Sequence, residues 1–206
     1  MDRKMKRQGF SLIEVIVVVS IMGILITLFV TTFTGQRSKN TIEGNIKLLY
    51  SDLAEMRVKA MAENKAYGIA WTLSASNDFQ SYNMNGDTNS NDNITDTGGF
   101  VTIRTTTLSG TYPVAPLSTM LITSITFNNK GICMNAECSS TPGFQLYSSC
   151  TDCDSSGLPA DTSVNCDNIN YPEYSCLFVS STRIKMGKWC DSNGNGTFDS
   201  GECTIK

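Results

Sequence analysis

The residues best equipped for chemistry stand in one short run near the C-terminus, "DSNGNGTFDSGE", Asp191 to Glu202. The run matches the calcium-loop pattern D-x-[DN]-x-[DN]-G-x₅-E at every specified position. Asp191, Asn193 and Asn195 alternate, so their side-chain oxygens converge; Gly196 makes the sharp turn and Thr197 offers its carbonyl. Asp199 takes the ninth position and Glu202 closes the loop as a bidentate carboxylate. Hard oxygen donors with no histidine nearby favour Ca²⁺ over a transition metal. Asparagine at the third and fifth positions lowers the ligand charge, which predicts an affinity on the order of 10⁻⁴–10⁻³ M, as in extracellular modules. Strand-like sequence precedes the run and only four residues follow it, so no helix pair is available for switching and the ion would be structural. The competing reading is a Gly/Asn/Asp-rich turn that holds no metal. A weaker echo, "DTNSNDNITDTG" from Asp87 to Gly98, repeats Asp87, Asn89 and Asn91. It has Asp92 in place of the turn glycine and Gly98 in place of the closing glutamate, and reads as a solvated loop between strands.

Cysteine is the second reactive type. Cys133, Cys138, Cys150, Cys153, Cys166, Cys176, Cys190 and Cys203 all lie in the C-terminal part of the chain. An even number in one segment reads as a disulfide framework formed in an oxidising compartment. Eight cysteines allow 105 pairings, so connectivity stays open. Cys190 and Cys203 flank the candidate calcium loop and a bridge between them would clamp it; pairing with other cysteines is the alternative. The "CTDC" run, Cys150–Cys153, lies in a polar loop without the βαβ context of a thioredoxin-like pair, and a single C-x-x-C falls short of a zinc ribbon. The chain has no histidine, which removes Ser-His-Asp and Cys-His catalysis and makes an anchored enzyme or redox protein a poor reading.

A third group is a carboxylate in an unfavourable place. From Phe10 to Val30 run twenty-one residues whose only charge is Glu14. At 1.5 Å per residue the run spans roughly 30 Å, the thickness of a bilayer core. Arg3, Lys4, Lys6 and Arg7 precede it, a flank that stays cytoplasmic. The run is too long for an ordinary secretory signal peptide and lacks a small-residue cleavage site, while a plain anchor leaves Glu14 unexplained. An acid within an apolar span is functional by default and needs a partner that neutralises it.

The stretch "GFSLIEV" resembles the prepilin signal, with Gly9 before the cut, Phe10 as first mature residue and Glu14 as the fifth. Among type IV pilins and type II secretion pseudopilins, this implies cleavage after Gly9 and methylation of the new amine by prepilin peptidase. It also implies insertion in the bacterial inner membrane with the head in the periplasm, and extraction by an inner-membrane assembly platform into a filament of pilin or pseudopilin subunits. The amine on Phe10 would then sit close to Glu14, and a paired buried carboxylate is tolerable where a lone one is not. "IKLLYSDLAEMRVKAMAENKAYGI", "ITFNNKG" and "FVSSTRIKMGKW" resemble the H-type minor pseudopilins and T-type fimbrial minor pilins. Where many relatives have proline, this chain has Thr31. The resemblance implies a structural subunit; the alternative is a tip-exposed minor pilin that captures DNA or a surface. For that, "STRIKMGK" offers Arg183 and Lys185 on one strand face with Lys188 nearby. Against it, residues 1–9 hold four of the 16 basic and one of the 19 acidic residues, so the processed chain carries 12 against 18. Phosphate binding needs positive potential, and that balance argues against nucleic acid as a partner.

These parts need elements to hold them. Ile42, Ile46, Leu49, Leu53, Met56 and Ala60 recur at alternating spacings of three and four, one stripe of a helix, with Glu43, Lys47, Asp52, Glu55 and Lys59 on the remaining faces. One helix is predicted from about Phe10 to Asn64, with Gly35 and Gly44 as weak points of about 1 kcal/mol each. Strands are predicted within 67–73, 100–108, 121–128, 143–149 and 176–189, with long loops over Ser74–Gly99 and Ser148–Tyr174. The fold class is α+β: a long N-terminal helix, its first half transmembrane, packed on an antiparallel sheet. The division is a leader at 1–9, a transmembrane half-helix at 10–30, an amphipathic half at 31–65 and a disulfide-rich head at 66–206.

Overall fold

The computed structural model of the chain describes residues 11–96, 98–109, 112–117, 122–139, 143–148, 172–189 and 203–205, excepting the side chains of 28–35. Helix α1 runs unbroken from Leu12 to Glu63, 52 residues or roughly 78 Å at 1.5 Å per residue. No proline occurs in it. It ends at Asn64, whose left-handed backbone (φ 54°) turns the chain so that the Lys65 N–H reaches the Ala60 carbonyl at 3.3 Å.

Among the described residues nine strands follow: β1 (Tyr67–Trp71), β2 (Ser81–Asp87), β3 (Phe100–Thr107), β4 (Ala115–Leu117), β5 (Ser124–Phe127), β6 (Phe144–Tyr147), β7 (Cys176–Val179), β8 (Ile184–Trp189) and β9 (Cys203–Ile205). They form two sheets, ordered β3-β2-β1-β5 and β4-β6-β7-β8-β9, and every pairing is antiparallel. The α+β class and the long helix agree with the sequence reading, but the sheet is divided in two. The loop predicted over Ser74–Gly99 contains β2, whose "SYNMNGD" is poor in β-formers and is held as a strand by neighbours on both sides. The run 176–189 is a hairpin, turned where the Ser180 N–H meets the Arg183 carbonyl at 2.8 Å.

The helix crosses both sheets, touching β1, β5, β7 and β8. All six residues of the predicted stripe are fully buried. Ile46, Leu49, Leu53, Met56 and Ala60 meet Ile69 and Trp71 of β1, Tyr82 and Met84 of β2, Ile125 and Phe127 of β5, Phe144 and Leu146 of β6, and Leu177 and Val179 of β7 in one core, while Ile42 packs separately on Tyr112. Trp71 joins the sheets, stacking on Phe79 at 4.7 Å and on Phe144 at 6.3 Å between ring centroids.

Candidate functional site

From Leu12 to Thr27, α1 is apolar and uncovered. Leu12, Ile13, Val15 to Val19, Ile21, Met22 and Ile24 to Ile26 are all exposed, Leu12 at 77% and Ile24 at 64%. Two of its hydroxyls are satisfied within the helix: Ser20 Oγ donates to the Ile16 carbonyl (2.8 Å) and Thr27 Oγ1 to that of Gly23 (2.9 Å). Such back-bonding lets a polar side chain sit in an apolar phase without an unmet donor. Glu14 lies in the first turn, where the helix dipole favours an anion, and its carboxylate has no partner among the described residues. Gly9 and Phe10 lie outside those residues. Among the described residues no helix is long and apolar enough to cross a membrane; the side chains of 28–30, where the sequence places the end of the span, are outside the description.

The second half of α1 is clamped to the head by polar groups that the helical pattern concealed. Asp52, expected on a solvated face, is buried. Its carboxylate accepts hydrogen bonds from Tyr82 OH (2.8 Å) and Thr106 Oγ1 (3.1 Å) and pairs with the Arg104 guanidinium at 2.5 Å. Burial, reinforced by this hydrogen bond to Asp52, drives the Tyr82 phenol well above its ordinary range. Asn45 does similar work one level up: its amide donates to the carbonyls of Ser109 (3.0 Å) and Tyr112 (3.2 Å) and accepts the Ser109 N–H (2.9 Å). A signal was present, since Asn45 and Asp52 lie seven residues apart and each directly precedes a stripe residue. At the open flank, Glu43 accepts the Glu173 N–H (2.9 Å) and pairs with Lys47 (2.9 Å), whose ammonium sits 5.0 Å from the Tyr174 ring centre.

Of the eight cysteines, Cys133 bonds Cys138 and Cys176 bonds Cys203, and none of the described cysteines is free. The clamp considered between Cys190 and Cys203 is therefore not formed. Cys203 instead reaches across β8 to Cys176 on β7, passing over Gly187, where a Cβ would come 2.5 Å from the Thr204 carbonyl oxygen and 3.1 Å from the Cys203 sulfur. Cys150, Cys153, Cys166 and Cys190 lie outside the described residues.

Asp191, Asn193, Asn195, Thr197, Asp199 and Glu202 also lie outside them. Their flanks are described: Trp189 and Cys203 are paired partners of β8 and β9, so the two ends of the run are held side by side. The weaker echo is described apart from residue 97. Asp87 is buried and its carboxylate accepts the N–H groups of Asn89 (2.9 Å), Ser90 (3.0 Å) and Asp92 (2.9 Å). Asp92 adopts the positive φ (60°) that a turn glycine would supply. Asp96 accepts the amides of Asn91 (2.7 Å) and Asn89 (3.0 Å), which hold its carboxyl below the usual range. The loop thus closes on its own hydrogen bonds, with Ile94 buried against Gly68. Among the described residues no group of three or more His, Cys, Asp or Glu side chains could hold a metal. Of the basic residues considered, Lys185 and Lys188 are three apart in β8 and point to opposite faces of its sheet, while Arg183 lies in the turn before it.

Residues 4–30 match the family model of the prokaryotic N-terminal methylation motif, which includes the "GFSLIEV" run. The chain carries that motif. No curated protein matches the chain. Two crystal structures of the type IV minor pilin FimU from Pseudomonas aeruginosa are similar at 15% identity. They cover 56% and 58% of this chain and 87% and 86% of theirs, with TM-scores of 0.33 and 0.36.

Proposed function

We propose that the chain is a minor pilin-like subunit of a type IV pilus or type II secretion filament. It is inserted in the inner membrane by the Phe10–Val30 run, cut after Gly9, methylated on Phe10 and assembled with other pilin-like subunits. It acts by assembly rather than catalysis. The observation that carries the reading is the division of α1: its large apolar residues are exposed from Leu12 to Ile26, whereas from Ile42 onward a stripe of six (Ile42, Ile46, Leu49, Leu53, Met56 and Ala60) is fully buried. A helix of that kind has one half left for lipid or neighbouring helices. The methylation motif supports the processing step. Glu14 would pair with the Phe10 amine of its own or a neighbouring subunit and set axial register.

The head would bind one structural Ca²⁺ through Asp191, Asn193, Asn195, the Thr197 carbonyl, Asp199 and Glu202. The β8–β9 pairing supports this, because the first and last ligands of a chelating loop must approach the same ion and that pairing joins the ends of the run. Intact mass spectrometry of the membrane-extracted protein tests processing: the expected mature chain begins at a methylated Phe10. A photoreactive residue at Ile24 tests assembly, with crosslinks expected to other subunits bearing the same motif. An uncut Gly9 with no such partner would leave the chain a plain anchor. For the ion, chelation is expected to lower the unfolding temperature of the native protein but not that of Asp191→Ala or Glu202→Ala.

A further inference from the structure

The outer face of the first sheet carries a cleft that filament assembly through α1 does not use. Ile69 and Trp71 of β1 and Tyr82 and Met84 of β2 turn into the core, so alternation turns Ala70, Ser81, Asn83 and Asn85 the other way. Ala70 is the paired partner of Asn83, and its short side chain leaves a hollow between the neighbours. The 88–99 loop folds onto one end of this face. Asn85 Nδ2 donates to the Ile94 carbonyl (3.0 Å), and the Ile94 side chain fills the space over Gly68. Thr95 and Phe100 stand as a wall, and with Thr72, Ser81, Asn83 and Asn85 they line a cavity of about 190 Å³ that opens to solvent.

The lining decides what the cleft can hold. None of its side chains is charged, so an ion entering it would lose water without gaining a counter-charge. The floor offers no free backbone ladder: β1 pairs with β2 and β5, and β2 with β1 and β3, so an extended peptide cannot add to them. What remains is hydroxyl and amide. Thr72, Ser81 and Asn83 are exposed, and no described residue bonds the Asn83 Nδ2 or the two hydroxyls. The Asn83 amide is nevertheless fixed, since its Oδ1 accepts the Thr105 hydroxyl (2.8 Å); Thr102 holds Asn85 in the same way (3.0 Å). Groups oriented before a ligand arrives lower the ordering cost of binding it. Beside them the Phe100 ring supplies an apolar face.

We propose that this cleft binds one ring of an uncharged saccharide, with Asn83, Ser81 and Thr72 bonded to its hydroxyls and Phe100 against its C–H face. A sugar ring is neutral, carries donors and acceptors around its whole rim, and keeps an apolar face; the cavity is of one ring's size. A purely apolar ligand would leave the amide and hydroxyls without partners, at a cost for each. A peptide side chain brings too few polar groups to meet three sites at once. The inference rests on the head alone and does not depend on the role of the apolar half-helix.

The experiment records amide spectra of the isotope-labelled full chain in a phosphocholine detergent, which carries no sugar. D-glucose, D-galactose, D-mannose and N-acetyl-D-glucosamine are added singly. At least one is expected to shift the Asn83 side-chain amide and the backbone amides of Thr72, Ser81 and Phe100 saturably, with a Kd on the order of 1 mM for so small a ligand. Asn83→Ala and Phe100→Ala should each weaken that binding on the order of tenfold or more. Asn83 is exposed, so Asn83→Ala should leave the unfolding temperature nearly unchanged. Glycerol, sodium phosphate and an uncharged serine–threonine–asparagine tripeptide with blocked ends should leave the same signals in place. No response to any of the four sugars, a shift that does not saturate, unweakened binding in Asn83→Ala, or an equal response to glycerol, phosphate or the peptide would each overturn the proposal.

Discussion

Ile24 and Ile46 are the same residue in one unbroken helix, the first 64% exposed and the second fully buried. Both halves of α1 are rich in aliphatic side chains, so apolar content alone does not separate them. The difference lies in what the chain can bring against each. Past Ile42 a single stripe of apolar residues is buried, with Leu48, Val58 and Met61 left outside it, and two sheets with a shared core close over that stripe. Before Thr27 apolar residues surround the helix on every side, and none of the described strands is placed to cover them. A helix that is apolar all round needs a second apolar phase, whereas an amphipathic one needs only its own domain.

The sharpest way to break that comparison is to truncate one aliphatic residue in each half. Leu53→Ala is expected to destabilise the head by about 2–5 kcal/mol, seen as a lowered midpoint in denaturant, because it opens a cavity in a closed core. Ile24→Ala should leave that midpoint within about 0.5 kcal/mol. Equal losses would mean that the halves are not energetically distinct. Next in size is Asp52→Ala, which strips three donors of their acceptor. Removing one partner of a buried pair costs about 3–5 kcal/mol. Arg104 is half exposed and recovers water, so about 2–3 kcal/mol is expected here, in the same denaturant measurement.

Two smaller effects sharpen the picture at the seam. Gly44 is exposed and a Cβ there meets nothing within 4 Å, so Gly44→Ala should stabilise by up to about 1 kcal/mol through helix propensity alone. A loss instead would place an unseen neighbour on that face. Glu43 gives a pH dependence. Burial works to raise its pKa, but the hydrogen bonds from Lys47 and the Glu173 N–H outweigh it and hold the carboxyl below the ordinary 4.5. Its stabilising contribution is therefore present above about 4.5 and lost as pH falls through the lower folded value. Comparison with Glu43→Gln across that window should show a difference of only about a few tenths of a kcal/mol, since the ion pair lies at the surface.

The legible part of the molecule is the part governed by near neighbours in sequence. The 3.6-residue repeat of Ile42 to Ala60 announced the buried stripe because i, i+3 and i+4 must share a face whatever the rest of the chain does. Apolar runs such as "YGIAW" and "CLFV" announced strands for similar reasons. β2 escaped because its asparagines, glycine and serine belong to loops by composition, and it is made a strand by β1 and β3. Asp52 escaped because a carboxylate beside a stripe is solvated unless distant groups close over it, and the groups that do so arrive from residues 82, 104 and 106.

The sequence by itself determined that one long helix precedes the strands, which of its faces seeks a core, and that residues 4–30 carry the N-terminal methylation motif. Those are consequences of local spacing and a short contiguous pattern. Only the tertiary structure decided that Cys203 bonds Cys176, that Asp52 becomes the hub of a buried network, and that Thr105 reaches Asn83 at the floor of the cleft. Each of these depends on segments far apart in sequence meeting at hydrogen-bond or covalent distance, and no local pattern encodes which distant partner arrives.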